Sequence, residues 1–165
     1  MVKKEDDPEN LGIVPHYQDQ YKALYESVQS LNFPTDEHDL PRPMPVKGRK
    51  LRKLLKERTI SFPGDTRITS AEITVERKLP EGGYTYNFSV FIKPQEGEKH
   101  VHPDRSVSHP DIRLKMRLTP DTFAVIARPE VFSQLETLQY MRDNITKNPD
   151  KAIALASAII DCIQE

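Results

Sequence analysis

The sequence is poor in cysteine and glycine, with one cysteine and six glycines among its 165 residues. Because Cys162 has no second cysteine to pair with, an intramolecular disulfide and a zinc site built from cysteines are both excluded. A chain with a single cysteine is more typical of a reducing compartment. We therefore expect an intracellular protein, located in the cytoplasm or the nucleus.

Long apolar runs and a strong excess of one charge are also missing. The most apolar segment, from Ala152 to Ile163, is shorter than the ~20 residues that a membrane-spanning helix needs. The first ten residues are charged rather than apolar, so we expect no signal peptide. A net charge of −1 means that any binding of nucleic acid would depend on a local basic patch.

Motifs of catalysis are missing as well. The sequence has no glycine-rich phosphate loop and no Gly-x-Ser-x-Gly elbow, and the pair Gly82-Gly83 fits a hairpin turn. Cys162 lies in an apolar helical pattern, which favours core packing over a reactive thiolate. We therefore predict a protein that is not an enzyme and that needs no cofactor.

Fourteen prolines divide the chain, because proline interrupts regular structure and stiffens connectors. Residues 1–15 are charged and aperiodic, which predicts a disordered arm. Residues 16–46 combine a helix, from about His16 to Leu31, with a proline-rich linker. Residues 47–165 are expected to form a single α+β domain. Such a tethered helix could dock either on its own core or on another chain.

Strict alternation of apolar and polar residues predicts the sheet. It is clearest at Tyr84 to Ile92 and at Ile112 to Leu118, and it recurs from Ala71 to Glu76. The turn Thr119-Pro120-Asp121 leads into a fourth predicted strand, from Thr122 to Ala127. Two helices follow, one between Val131 and Ile145 and one that begins after Asn148. The prediction is an α+β fold: a four-stranded antiparallel meander packed on C-terminal helices, with a tethered N-terminal helix.

Two surfaces suggest binding. One face of the N-terminal helix, a candidate site for a partner protein, carries Tyr17, Tyr21, Leu24 and Val28. The other surface is basic, comprising a helix from Gly48 to Arg58 and the polar row of the third predicted strand, and it is a candidate for phosphate contacts. Its cations are Arg49, Lys50, Arg52, Lys53, Lys56, Arg113, Lys115 and Arg117.

A loop with three histidines provides a third hypothesis. His100, His102 and His109 have the type and number of donor atoms that a metal-dependent enzyme uses for zinc. The prolines of this loop, Pro103 and Pro110, make a fixed metal geometry difficult, and exposed histidines explain the pattern as well.

Taken together, the residues favour a non-enzymatic protein-protein interaction module, such as an adaptor, a regulator or an assembly subunit. A nucleic-acid-associated protein is the alternative, and the histidine-loop enzyme is the second alternative. The apolar C-terminal helix also leaves open a homo-oligomer formed through that helix.

Overall fold

The computed structural model describes residues 8–62, 64–93, 100–101, 107–108, 112–126 and 147–164. The elements are α1 Pro8–Gln29, β1 Met44–Lys47, α2 Gly48–Glu57, β2 Ile68–Lys78, β3 Tyr84–Ile92, β4 His100–Val101, β5 Val107–Ser108, β6 Ile112–Leu118, β7 Phe123–Ile126 and α3 Pro149–Gln164. The predicted helix between Val131 and Ile145 lies outside these ranges. None of the helices within them has both the length and the hydropathy that crossing a membrane requires.

Five strands form one antiparallel sheet in the order β1-β2-β3-β6-β7, and β4 and β5 form a separate small hairpin. The predicted α+β class is confirmed, but the sheet has five strands rather than four. The additional strand, β1, contains Pro45, and proline removes a backbone donor, so its sequence does not resemble a strand. Proline is tolerated there because β1 lies at the edge of the sheet.

Among the described residues, β1 pairs with only part of its neighbour β2. Its four residues pair with Ser70 to Ile73, whereas β2 extends to Lys78. Pro41 and Pro43 precede β1 in the chain, and neither can donate a backbone hydrogen bond. The edge strand β1 is therefore short, and prolines in it and before it interrupt the series of backbone donors.

Alternation places the apolar side chains of β3 and β6 on one face of the sheet, as predicted, but the polar residues Thr85, Asn87 and Ser89 on the other face of β3 are buried too. Phe88 and Val90 of β3 and Leu114 and Met116 of β6 are almost fully buried and face the helices. The intervening cations of β6, such as Arg113, lie on the opposite, polar face. The hydrophobic core thus occupies one side of the sheet, between the strands and the helices.

Helix α1 begins at Pro8, not near His16, and it continues through Pro15. Proline suits the first position of a helix because the N–H that it lacks would be unpaired there anyway. Farther along the helix, Leu24, Tyr25 and Val28 are buried in the core of the same chain. The sequence left open whether this helix docks on its own core or on another chain, and in the structure it packs on its own core.

A hydroxyl group fixes α1 to the first residue of β3. The Tyr25 hydroxyl donates to the backbone oxygen of Tyr84 at 2.5 Å and accepts from the backbone N–H of Tyr84 at 3.0 Å. Gly83 allows this approach, since a Cβ atom there would lie 2.8 Å from the Tyr25 hydroxyl and its φ is +85°. The turn before β3 is therefore shaped around one side chain of α1.

Helix α3 starts at Pro149, directly after Asn148, as the sequence predicted. Seven of its residues are buried: Ala152, Leu155, Ala156, Ala158, Ile159, Ile160 and Cys162. It contacts α1, α2 and the strands β1 and β2, which accounts for its apolar character around most of its circumference. Cys162 is buried, as expected for core packing, and a homo-oligomer formed through α3 stays a prediction.

Candidate binding surface on helix α2

Helix α2 is an amphipathic helix with a very basic outer surface. Its sequence is GRKLRKLLKE, and Leu51 and Leu55 are buried in the core. At the first residue of the helix, Gly48, the backbone lies against that of β2, and a Cβ atom there would come within 2.5 Å of the Thr69 carbonyl group. This close approach fixes the position of every cation on the helix relative to the sheet.

Two of these cations, Lys50 and Arg52, and the residue that caps the helix, Arg58, are bound to the rest of the fold. Lys50 Nζ donates to the Cys162 backbone oxygen at 2.7 Å, near the C-terminal end of α3, where a positive charge is favourable for the helix dipole. Arg52 Nη1 donates to the Ile68 backbone oxygen at 2.5 Å. Arg58 Nη2 and Asp161 Oδ2 form an ion pair at 2.5 Å.

The remaining cations of α2 form what we call the cationic face: Arg49, Lys53 and Lys56. All three side chains are exposed, and their spacing of four and three residues places them along one side of the helix. They make no hydrogen bond or ion pair within the part of the chain that the structure describes. The helix therefore presents three available positive charges from a fixed position.

Two pockets flank the cationic face. The smaller, of about 260 Å³, is lined by Lys50, Lys53, Leu54, Glu57 and Cys162. The larger, of about 560 Å³, lies where α2 ends, and we call it the Thr59 pocket. Its lining comprises the apolar residues Leu55 and Ile60, the cations Arg52 and Lys56, the hydroxyl residues Thr59, Ser61 and Thr66, and Asp65. Its volume falls within the range of about 300–1,000 Å³ that small-molecule sites have.

The backbone at Thr59 is unusual. The N–H of Ile60 donates to the Leu55 oxygen at 2.9 Å and the N–H of Thr59 to the Lys56 oxygen at 3.1 Å, which is the Schellman pattern of a helix end. Thr59 occupies its left-handed position with a φ of 58°. Glycine is the usual residue there, and a β-branched side chain costs roughly 1–2 kcal/mol more. The chain therefore carries a strained residue on the wall of this pocket.

The polar face of the sheet is occupied by internal contacts. Arg117 donates from Nε and Nη2 to the two carboxylate oxygens of Glu76, each at 2.6 Å. Arg113 Nε donates to Ser89 Oγ at 3.1 Å, and its guanidinium carbon lies 5.8 Å from the centre of the Phe91 ring. Two of the three cations predicted on this strand are thus already engaged.

The pKa of Glu76 reflects these contacts. The hydrogen bonds from Arg117 lower the pKa of this carboxyl below its ordinary value, and the side chains of Asn87 and Thr85 contribute in the same direction. Glu76 lies at a bulge between Val75 and Arg77, which places an additional residue opposite β3. The result is an ionised cluster that connects β2, β3 and β6.

The structure separates the two halves of the predicted nucleic-acid surface. Helix α2 packs Leu51 and Leu55 into the core on the apolar side of the sheet. The row of Arg113, Lys115 and Arg117 lies on the other side, because these residues alternate with buried Leu114 and Met116. The eight predicted cations therefore do not form one continuous patch.

The predicted partner-binding residues of α1 are largely turned inward. Leu24 and Val28 are 4% and 0% exposed, and the ring of Tyr21 lies 6.1 Å from that of Phe123. The side chain of Tyr17 lies outside the described residues. Packing on the chain's own core thus leaves Leu24 and Val28 no surface to offer a partner.

Only part of the histidine loop falls within the described residues. His100 begins β4 and pairs with Ser108 of β5, whereas His102 and His109 lie outside. Among the described residues, no group of three or more histidine, cysteine or carboxylate side chains is placed to hold a metal. The metal hypothesis therefore stays a prediction.

Comparison of the chain with protein-family models, with curated proteins and with solved structures finds no match in any of the three. The candidate surface therefore rests on its own geometry. Sequence reasoning identified the basic helix but missed the Thr59 pocket, because nothing in the local pattern marks Thr59, Ser61 and Thr66 as neighbours of Arg52. The one available signal was the absence of a glycine where α2 ends.

Proposed function

We propose that this protein is a non-enzymatic interaction module that binds an acidic segment of a partner protein along the cationic face of α2. The supporting observation is the contrast among the cations of this helix. Lys50, Arg52 and Arg58 are bound to the chain's own carbonyl and carboxylate oxygens. The cations of the cationic face are exposed and without such partners in the described ranges.

Rigidity of the helix favours binding. Two buried leucines, Leu51 and Leu55, and the contacts of Lys50, Arg52 and Arg58 fix α2 before any partner arrives. A surface that is already ordered loses less conformational entropy on association. The three exposed charges can then act as a preformed template for carboxylates.

The spacing of the cations suggests the form of the partner segment. Successive cations of the cationic face are separated by about 6 Å and about 4.5 Å along the helix axis, given a rise of ~1.5 Å per residue. An acidic helix with carboxylates four and three residues apart has the same spacing. Leu54, half-buried beside Lys53, offers such a helix an apolar contact in addition to the charges.

A protein partner fits this surface better than nucleic acid. Base stacking requires aromatic side chains next to the cations, and neither pocket beside α2 has one in its lining. On the other side of the sheet, Arg117 is already paired with Glu76. An acidic segment needs only carboxylates and a few apolar side chains.

The test is a binding titration with a defined probe. The probe is a fluorescein-labelled amphipathic helical peptide of Glu and Leu, and its counterpart has Gln in place of Glu. We expect the Glu peptide to bind and the affinity to fall with added salt, because exposed charges are screened. The double variant Arg49→Glu/Lys53→Glu should weaken binding by about 10- to 30-fold, as two attractions become repulsions.

A matched variant controls for net charge. Arg77 and Lys78 are exposed cations at the hairpin end of β2, roughly 30 Å along the strand from its other end at ~3.3 Å per residue. The double variant Arg77→Glu/Lys78→Glu should bind the Glu peptide with little change. Equal loss in both variants, equal binding of the Gln peptide, or preferential binding of a duplex DNA or single-stranded RNA would each refute the proposal.

A further inference from the structure

The Thr59 pocket combines an apolar wall with polar groups that suit one kind of anion. Leu55 and Ile60 form the apolar wall, and Arg52 and Lys56 supply positive charge. Within the described residues, the Arg52 guanidinium donates one hydrogen bond, to the Ile68 oxygen, and an arginine has several more donors. Thr59, whose side chain carries a hydroxyl, also lines this cavity.

The strained backbone at Thr59 indicates that its side chain has a use. Glycine would adopt a φ of 58° without steric cost, and it would complete the same helix end. Strained residues of this kind are concentrated at binding sites and active sites. What threonine adds to glycine here is a hydroxyl and a methyl group on the wall of a pocket that has two cations.

The balance of charge selects among anions. Arg52 and Lys56 contribute two positive charges and Asp65 one negative charge, and the C-terminal end of α2 adds a partial negative charge, so the pocket is only weakly positive at neutral pH. The Asp65 carboxylate is held in place, since its Oδ2 atom accepts the N–H of Phe62 at 3.2 Å. A second negative charge on a ligand would be repelled by Asp65, which disfavours a dianionic phosphate.

We propose that the Thr59 pocket binds an aliphatic monocarboxylate. Its carboxylate would accept hydrogen bonds from Arg52 and Thr59 with Lys56 nearby, and its alkyl part would lie against Leu55 and Ile60. Planar carboxylates match the fork of an arginine side chain. The two sites share Lys56, but Arg49 and Lys53 contact only the acidic segment proposed above, so variants at those two residues distinguish the sites.

The probe for the test is octanoate, titrated into the full chain and followed by amide chemical shifts. We expect saturable shifts at Thr59, Ser61 and Thr66, and weaker effects from octyl phosphate. No saturable shift at these residues is expected with acetate, which lacks the alkyl chain, or with octylamine, which has the opposite charge. Shifts of equal size with octylamine would mean simple hydrophobic adsorption and would overturn the proposal, as would no saturable shift with octanoate.

The decisive variant is Thr59→Gly, which removes both the strain and the hydroxyl. We expect the midpoint of thermal unfolding to rise by about 2–4 °C while octanoate binds about 10-fold more weakly. A threonine with only a structural role would give the same rise in Tm with unchanged octanoate binding, and that result would refute the proposal.

A second variant, Lys56→Gln, should weaken octanoate binding about 3- to 10-fold, whereas Lys78→Gln at the far end of β2 should not change it. The Arg49→Glu/Lys53→Glu variant should retain saturable octanoate shifts at Thr59, Ser61 and Thr66 while losing the acidic peptide. The two proposals can therefore fail independently.

Discussion

The hydroxyl of Tyr25 satisfies both backbone groups of Tyr84, and we expect Tyr25→Phe to lower the free energy of unfolding by about 1–3 kcal/mol. The cost arises because the N–H and the oxygen of Tyr84 lose their partner in a partly buried place. Urea unfolding followed by circular dichroism measures the change. Tyr84→Phe serves as the control, since the Tyr84 side chain is 37% exposed, and it should change stability by less than about 0.5 kcal/mol. An unchanged unfolding midpoint for Tyr25→Phe would contradict this role.

At the scale of one element, α2 is positioned by the absence of a side chain at Gly48. Alanine ordinarily stabilises a helix relative to glycine by up to about 1 kcal/mol. Here a Cβ atom would meet the backbone of Thr69 at 2.5 Å, so the helix would have to move away from β2. We expect Gly48→Ala to destabilise the protein by about 1–3 kcal/mol, as measured by urea unfolding.

The neighbouring variant Arg49→Ala provides the comparison for this element. Arg49 is exposed in the same turn of α2, so alanine gains helix propensity there without a clash. Its effect on unfolding should stay within about 0.5 kcal/mol. If Gly48→Ala proved as stable as Arg49→Ala, the close approach of α2 to β2 would be wrong.

Local sequence patterns predicted the elements that have one buried face and one exposed face. They failed where contacts between residues far apart in the chain determine the structure. The strands β3 and β6 and the helix α2 follow from alternation and from the leucine spacing. β1 does not, since four residues that include a proline are too short a pattern to predict a strand, and its pairing with Ser70 to Ile73 is a distant contact. For the same reason the sequence predicted a basic helix but not which cations are free, because Lys50 contacts a residue 112 positions away.

For the whole molecule, stability at acidic pH should depend on the cluster around Glu76. The pKa of Glu76 in the folded chain is below its ordinary value of 4.5, so the folded chain binds this proton less readily than the unfolded chain. Glu76 therefore adds stability at pH values above 4.5, and this contribution is lost as the pH falls through the lowered pKa.

The variant Glu76→Gln tests this dependence. The side chains of Arg117 and Glu76 are 36% and 23% exposed, so solvent screening limits the expected loss at neutral pH to about 1 kcal/mol. Urea unfolding across a series from neutral to about pH 3 should show the two proteins converging as the carboxyl becomes protonated. A difference that persists unchanged at the lowest pH would exclude the ionised carboxylate as its cause.

The prolines at positions 41, 43 and 45 have a consequence for how copies of this molecule meet one another. An open strand with regularly spaced N–H groups is a template on which a neighbouring chain can add a strand of its own. The segment that leads into β1 and the strand itself break that series of donors, so β1 offers a neighbouring chain no regular row of N–H groups. Copies of the molecule at high concentration can therefore meet along β1 without extending each other's sheet there.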